Sequence, residues 1–269
     1  MMPKISVVVP SFNQAEFIEA TLSSILEQRY ENLELIVIDG GSSDGSVDII
    51  KKYSSQLAYW VSEPDGGQTN GLIKGFRAST GEIQCWINSD DLMANNCLFE
   101  VADFFRKHSD AEAVFGNTTW INRDGQVLRE QREIGFSKFL WMYTYNYIPG
   151  MSMYWKRSLY ERIGGLNPKF NLAMDADLWI RFAQATRIRH VRRNWSYMRF
   201  YPEQKNRHLR TQSDVEDLDI RSRYWGSSRP ALYSLKRLAA LGIRVGLKLV
   251  TGCYSLRYQR YMADSNSEA

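Results

Sequence analysis

The chain has 269 residues, of which 44% are apolar, 24% charged and 13% aromatic. That composition excludes a disordered segment and is long enough for one full domain with an appendage. The net charge of +4 hides a gradient: residues 1–100 carry six basic and fourteen acidic side chains (net −8), residues 101–177 ten and nine (net +1), and residues 178–269 eighteen and seven (net +11). An acidic front excludes a nucleic-acid groove there, because phosphates would be repelled. The basic back suits an anionic partner or surface, or an ordinary solvated helix face.

Cys85, Cys97 and Cys253 are odd in number and form no CxxC, so neither a disulfide framework nor a structural zinc site is expected. Met1 to Lys4 runs straight into an apolar segment too short for a signal peptide, so the expected compartment is the reducing cytoplasm. The longest uncharged stretch of interest, residues 139–155, has seventeen residues and is broken by Asn146 and Pro149-Gly150. A membrane helix needs about 20.

In chain order, Ile5 to Val9 is a β-branched run closed by Pro10, which predicts a buried parallel strand. Phe17, Ile18, Thr21, Leu22, Ile25 and Leu26 recur at helical spacing behind a cap at Ser11 or Asn13. A second strand is predicted from Leu33 to Ile38, a short helix from Ser46 to Tyr53, and a third strand from Leu57 to Val61. A third helix runs from Gln68 to Ala78 and a fourth strand from Glu82 to Ile87. This alternation predicts right-handed crossovers and a mainly parallel α/β sheet covered on both faces.

Beyond residue 91 the pattern loosens. A helix is expected over 98–107, strands over 111–115, 118–121, 127–129 and 151–155, and helices over 158–163 and 175–186. A basic amphipathic stretch follows over 230–261, with Leu232, Leu235, Leu238, Leu241, Val245 and Leu249 set against Lys236, Arg237, Arg244 and Lys248. Disorder is expected over 264–269.

Ligands of such sheets bind beyond the carboxyl ends of the strands. Here those ends carry Pro10-Ser11-Phe12-Asn13, Asp39, Glu63-Pro64-Asp65 and Asn88-Ser89-Asp90-Asp91. Carboxylates gathered on one rim repel unless a positive charge sits among them. No GxGxxG follows the first strand and no GxxxxGK[ST] occurs, so a diphosphate would be held through a divalent cation on hard oxygen ligands. Asp90 and Asp91 suit that role, although Asp also caps helices. Asp39 suits a base or ribose, or simply its turn, and Asp65 before Gly66-Gly67 is also a turn signal. Lys74 or Arg77 on the third helix could reach a phosphate, though surface charge is the more ordinary role for either. Asp175 and Asp177 open a helix whose dipole stabilises anions, and either also suits a general base.

These words in this order resemble family 2 glycosyltransferases, which have the GT-A fold. They include Val7-Val8-Val9-Pro10-Ser11-Phe12-Asn13, Glu34 through Gly45, and Ser62-Glu63-Pro64-Asp65-Gly66-Gly67. Gly81-Glu82-Ile83, Asn88-Ser89-Asp90-Asp91 and Asp175 through Arg181 complete the set, with spacing kept over roughly residues 4–200. The resemblance implies a Rossmann-like sheet with a smaller acceptor-side subregion. It implies one transferase domain over 1–228, with a nucleotide-sugar half to about 116 and an acceptor half beyond it, followed by a basic tail over 229–269.

By the same resemblance Pro10, Ser11, Asn13, Asp39, Asp65 and Lys74 would serve the donor, with Ser89 and Asp90 beside its ribose. Asp91, with Asp90, would hold Mg²⁺ or Mn²⁺. Asp175 would be the catalytic base, with Asp177 as the alternative. The implied reaction inverts the anomeric centre, moving a sugar from a nucleoside-diphosphate sugar to a glycan or lipid-linked acceptor in cell-surface polysaccharide assembly. Asn70, Ile73 and Asn88 depart from the family's usual residues, and Asn88 removes one charged cation ligand. The aromatic residues of 139–155 would chiefly pack the core, and the basic tail would reach an anionic membrane. No nucleic-acid partner is expected. A nucleotidyltransferase would need a basic, glycine-rich loop after the first strand, which Pro10 to Gln14 is not; a catalytically silent sugar-nucleotide-binding protein would have no need of Asp90, Asp91 and Asp175.

Overall fold

The computed structural model describes residues 2–224 and 230–254. The elements are β1 (Ile5–Ser11), α1 (Ile18–Leu26), β2 (Leu33–Asp39), α2 (Ser46–Tyr53), β3 (Tyr59–Ser62), α3 (Gln68–Ala78), β4 (Ile83–Trp86), β5 (Leu92–Met93) and α4 (Cys97–Lys107). They continue as β6 (Ala113–Ile121), β7 (Val127–Gln131), α5 (Lys138–Tyr143), β8 (Met153–Lys156), α6 (Arg157–Arg162), α7 (Met174–Ala185), β9 (Ile188–Arg199), α8 (Lys205–His208), α9 (Arg210–Tyr224) and α10 (Pro230–Val250).

Among the described residues the strands form one sheet in the order β3-β2-β1-β4-β8-β6-β9-β5, with β7 added on β6. β1 runs parallel to β2 and β4, and β2 to β3. β8 enters antiparallel between β4 and β6, so the parallel donor-side block is joined to a mixed second block. Side chains alternate across a strand. Ile5, Val7, Val9, Leu35 and Val37 therefore pack with α1, α2 and α4, whereas Val8, Ile36 and Ile38 pack with α3 and α7. All are at most 1% exposed, and each such side chain contributes about 1.5–3 kcal/mol.

The regular first block follows its sequence closely; the second does not. The two strands expected over 111–115 and 118–121 are one strand, β6. Its pairing with β9 shifts register between Phe115 and Thr118, around Gly116. A Cβ at Gly116 would lie 2.7 Å from the Trp195 ring and 2.8 Å from the Arg193 carbonyl oxygen, so only glycine permits that approach. β9 itself, with four arginines in twelve residues, lacks the alternation of a half-buried strand. It forms because β6 and β5 satisfy its backbone on both sides.

The basic amphipathic stretch expected over 230–261 is helical over Pro230–Val250, as α10, and packs against the protein. Arg244 is 4% exposed and paired with Glu133, while Leu235 and Leu238 are 65% and 69% exposed. The helix is docked through Tyr233, Ala240 and its cations, and much of its leucine face points outward. Residues 255–261 of that stretch, the expected disorder over 264–269 and the expected boundary at 228–229 lie outside the described residues. No helix among the described residues is long and apolar enough to cross a membrane.

Candidate active site

The carboxyl ends of β1, β2 and β4 and the loop after β3 open onto one cleft of about 1490 Å³, whose far wall comes from residues 145–151, the start of α7 and α10. Pro10, Ser11, Asp65, Ser89, Asp90, Asp91 and Asp175 line it; Asn13, Asp39, Lys74 and Asp177 do not.

Asp39 is fully buried, and its carboxylate accepts from the Gly41 N–H (3.1 Å), the Ser42 N–H (2.8 Å), the Ser42 hydroxyl (2.5 Å) and the Ser62 hydroxyl (2.7 Å). These donors offset its charge, so the expectation that crowded rim carboxylates require a shared counterion fails for Asp39. Its backbone neighbours Gly40 and Gly41 face the cleft in its place. Asn13, at φ 51°, takes the Ser43 N–H at 3.0 Å and ties the β1 loop to the β2 loop. Lys74 pairs with Glu63 at 2.5 Å instead of facing the cleft. Asp65 accepts the Gly67 N–H at 2.7 Å. Its other oxygen sits 2.6 Å from where a Cβ of Gly71 would stand, so that glycine lets α3 seat the carboxylate.

Asp91 is 1% exposed, and its two oxygens accept from the Arg199 N–H at 2.8 Å and the Asn88 amide at 2.9 Å. Burial and the neighbouring Asp90 charge push its carboxyl well above the usual range. Asn88 also accepts from Gln68 at 2.9 Å. An amide at position 88 can donate to Asp91, where a carboxylate would repel it, which gives the departure at 88 a physical basis. Asp90 is half-buried. Its Oδ2 accepts from the Tyr201 hydroxyl at 2.9 Å and the Gln204 amide at 3.3 Å, and Oδ1 accepts no hydrogen bond among the described residues.

No cluster of three or more His, Cys, Asp or Glu that could hold an ion occurs among the described residues. Magnesium, however, is commonly held by one or two carboxylates plus substrate phosphates. Asp90 offers one hard, accessible oxygen of that kind, and Asp91 offers a carboxylate already engaged at both oxygens. Asp90 and Asp91 are the residues that would hold such an ion, Asp90 being the less engaged of the two.

Asp175 lies in the first turn of α7, accepting from the Ala176 N–H and the Asn146 amide, both at 2.8 Å. Burial, with a smaller contribution from the Asp217 charge, raises its pKa to about 6. Asp177 is 2% exposed and is held by Arg181 at 2.6 Å; that ion pair removes it from the role of alternative base. The loop before α7 is fixed by α9, which the sequence did not announce. The Glu216 carboxylate accepts the N–H groups of Asn171 (3.1 Å), Leu172 (2.8 Å) and Ala173 (2.9 Å). From the same helix Arg221 donates to the Trp141 and Met142 carbonyls, steadying the segment that presents Asn146.

Several site residues were missed from sequence. Arg199 and Tyr201 pin Asp90 and Asp91 from β9 and its end, and no motif marks them. Phe12 stands 61% exposed at the cleft; being a lone aromatic in a loop beside Pro10, it could have been singled out. Trp86 lines the cleft and stacks on Trp179, with centroids 5.2 Å apart and planes 6° off parallel. Of the aromatic residues over 139–155, Trp141, Tyr143, Tyr147, Tyr154 and Trp155 are buried, as expected for core, and Tyr145 is 52% exposed.

A curled, mainly parallel sheet with acidic loops at its strand ends and a carboxylate opening a late helix is the architecture of GT-A glycosyltransferases. The chain belongs to glycosyl transferase family 2, whose family model matches residues 6–164. An uncharacterized glycosyltransferase of Mycobacterium tuberculosis is 28% identical over 183 residues, covering 67% of this chain and 69% of that protein. The probable glycosyltransferase YdaM of Bacillus subtilis is 28% identical over 196 residues, 67% of this chain and 46% of YdaM. An uncharacterized Rickettsia typhi glycosyltransferase is 23% identical over 197 residues, 69% of this chain and 60% of that protein, so the chain spans well under two thirds of some relatives. In structure, S. aureus TarS 1–349 solved with UDP has a TM-score of 0.63 at 17% identity, covering 88% of this chain and 70% of that one. The mannosyltransferase PcManGT of Pyrobaculum calidifontis, solved with GDP-Man and Mn²⁺, has a TM-score of 0.62 at 20% identity, covering 100% of this chain and 81% of that one.

Proposed function

We propose that the chain is an inverting glycosyltransferase that moves a sugar from a nucleoside-diphosphate sugar to a hydroxyl of a glycan or lipid-linked acceptor, in cell-surface polysaccharide assembly. One observation carries this reading: the Asp175 carboxyl, with its pKa raised to about 6, lines the same cleft as Asp65 and Asp90. A carboxylate poised near the working pH can take a proton from an acceptor hydroxyl while staying ionised in the resting enzyme.

In this mechanism Phe12, Pro10, Ser11 and the Gly40-Gly41 backbone receive the nucleoside, with Asp39 shaping the turn behind them, and Asp65 and Ser89 bound the same end. Asp90, with Asp91, would hold Mg²⁺ or Mn²⁺, which when bound would neutralise charge on a departing nucleoside diphosphate. Asn146 and the α7 amino terminus orient Asp175, which accepts the acceptor proton as the oxygen attacks the face opposite the leaving group. The attacking C–O bond forms, the anomeric C–O bond to phosphate breaks, and the anomeric centre inverts. The complexes of TarS with UDP and of PcManGT with GDP-Man and Mn²⁺ support a donor of this class.

A thermal-shift screen of UDP-, GDP- and dTDP-sugars, each with and without Mn²⁺, tests it. A donor at about a hundred times its Kd adds about 2.7 kcal/mol of stability. One nucleotide should therefore raise Tm by several degrees, more so with the ion. A chain whose Tm moves with none of them is not a nucleotide-sugar transferase.

We also propose that the enzyme works at the cytoplasmic face of a membrane, lying on its surface through α10. Leu235, Leu238 and Leu249 are 65%, 69% and 60% exposed, and the region 178–269 is net +11. An outward apolar face with basic surroundings suits an anionic lipid interface. The protein should sediment with anionic vesicles, and Leu235→Gln with Leu238→Gln, which removes apolar surface without adding charge, should markedly weaken this. Equal sedimentation of that variant removes the proposal. Deleting the helix is a poorer test, because it strips Glu133 of both its cations.

A further inference from the structure

Glu133 is 1% exposed and takes two cations from α10, Arg244 at 2.8 Å and Lys248 at 2.9 Å. Their side chains are 4% and 17% exposed. One carboxylate thus faces two largely buried positive charges, leaving one unmatched. The Arg244 guanidinium also sits 4.2 Å from the Tyr145 ring centroid and 4.6 Å from that of Tyr147. Those rings stabilise its charge but offer no lone pair, and Nε and Nη1 of Arg244 are buried with no hydrogen-bond partner among the described residues. Buried charged donors are normally satisfied, so among the described residues this arrangement lacks an anion. Arg244 and Lys248 both line the cleft.

The place is as informative as the charge. Tyr145 and Tyr147 flank Asn146, whose amide holds Asp175 at 2.8 Å. Arg244 and Lys248 therefore line the same cleft as Asp175, the residue that would act as base. Nη2 of Arg244 gives one of its two N–H groups to Glu133, so Nε and Nη1 are the donors left without a partner among the described residues. A phosphate, with oxygens in several directions, can reach Nε or Nη1 and the Lys248 ammonium together.

We propose that Arg244 and Lys248 form a subsite for a phosphate group carried by the acceptor, so that the sugar is transferred to a hydroxyl of a phosphorylated glycan or phospholipid-linked molecule. This rests on the transferase reading. It is tested by titrating inorganic phosphate and glycerol 3-phosphate calorimetrically into the full chain, pre-saturated with whichever of UDP, GDP or dTDP gives the largest thermal shift. Phosphate should bind with the nucleotide in place, and Arg244→Gln should weaken it at least about tenfold while nucleotide affinity is unchanged. Should Arg244→Gln fold poorly with Glu133 left short of a partner, Glu133→Gln with Arg244→Gln keeps the pair neutral and should show the same loss. Unchanged phosphate affinity in these variants overturns the subsite, and displacement of phosphate by the nucleotide assigns the anion to the donor and overturns it as well. Absence of binding by every nucleotide sinks the transferase reading instead, and is distinguishable because phosphate binding is measured without turnover.

Discussion

Asp175→Asn is expected to lower kcat by about 10³-fold, within the range of a lost general base, while nucleotide affinity changes by less than about twofold. In the wild type, kcat should rise with pH through about 6, the pKa that burial gives this carboxyl. The residual activity of the Asn variant should lack that limb. Stability should move the other way. In the unfolded chain Asp175 ionises near its ordinary 3.8, whereas in the fold it keeps its proton up to about 6. The native state thus binds more protons between those values, and its stability falls as pH rises through them. Removing the charge should therefore raise stability above pH 6 by on the order of 1 kcal/mol given partial exposure, seen as a higher Tm. Asp177→Asn should instead lose about 3 kcal/mol, because it breaks the buried pair with Arg181. An Asp175→Asn enzyme that keeps most of its turnover would place the base elsewhere.

Asp90→Asn is expected to remove most of the Mn²⁺-dependent part of donor binding, about 100-fold, since an ion on the diphosphate stabilises by several kcal/mol. Asn can still accept from Tyr201 and Gln204, which bond Oδ2 at 2.9 and 3.3 Å, so the loop should hold its shape. Asp91→Ala should act differently. It strips the Arg199 N–H and the Asn88 amide of their acceptor, and so should lower Tm as well as donor affinity. A manganese titration of nucleotide binding, run beside thermal melts, separates the two. If Asp90→Asn leaves the titration unchanged and Asp91→Ala abolishes it at constant Tm, Asp91 is the ligand.

The two halves of the molecule were not equally legible. In β1, β2 and α3 each strand or helix is specified by its own residues. The run Ile5 to Val9 cannot be anything but buried, although the strand continues through Pro10, where closure was expected, to Ser11, both still paired with β2. The acidic words at the strand ends were correctly placed on one rim, but the state of each carboxylate was not. Asp39 and Asp91 are both buried and acidic in sequence, yet one is surrounded by four donors from its own turn and from Ser62, while the other relies on a backbone N–H more than a hundred residues away. Hydrogen-bond partners at that separation leave no mark on local pattern.

What the sequence determined by itself was the sheet block, the acidic rim and the helix that opens with Asp175, because short-range alternation, helical spacing and turn chemistry act within a few residues. Only the tertiary structure decided which of those carboxylates are accessible, that Glu216 of α9 seats the loop before Asp175, and that α10 turns Arg244 and Lys248 inward and its leucines out. An amphipathic pattern gives a helix two faces but does not say which one meets the protein. Here the buried carboxylate Glu133, with the core contacts of Ala240 and Tyr233, sets which face turns inward, since a charge without a counter-charge costs more in the interior than several leucines cost at the surface.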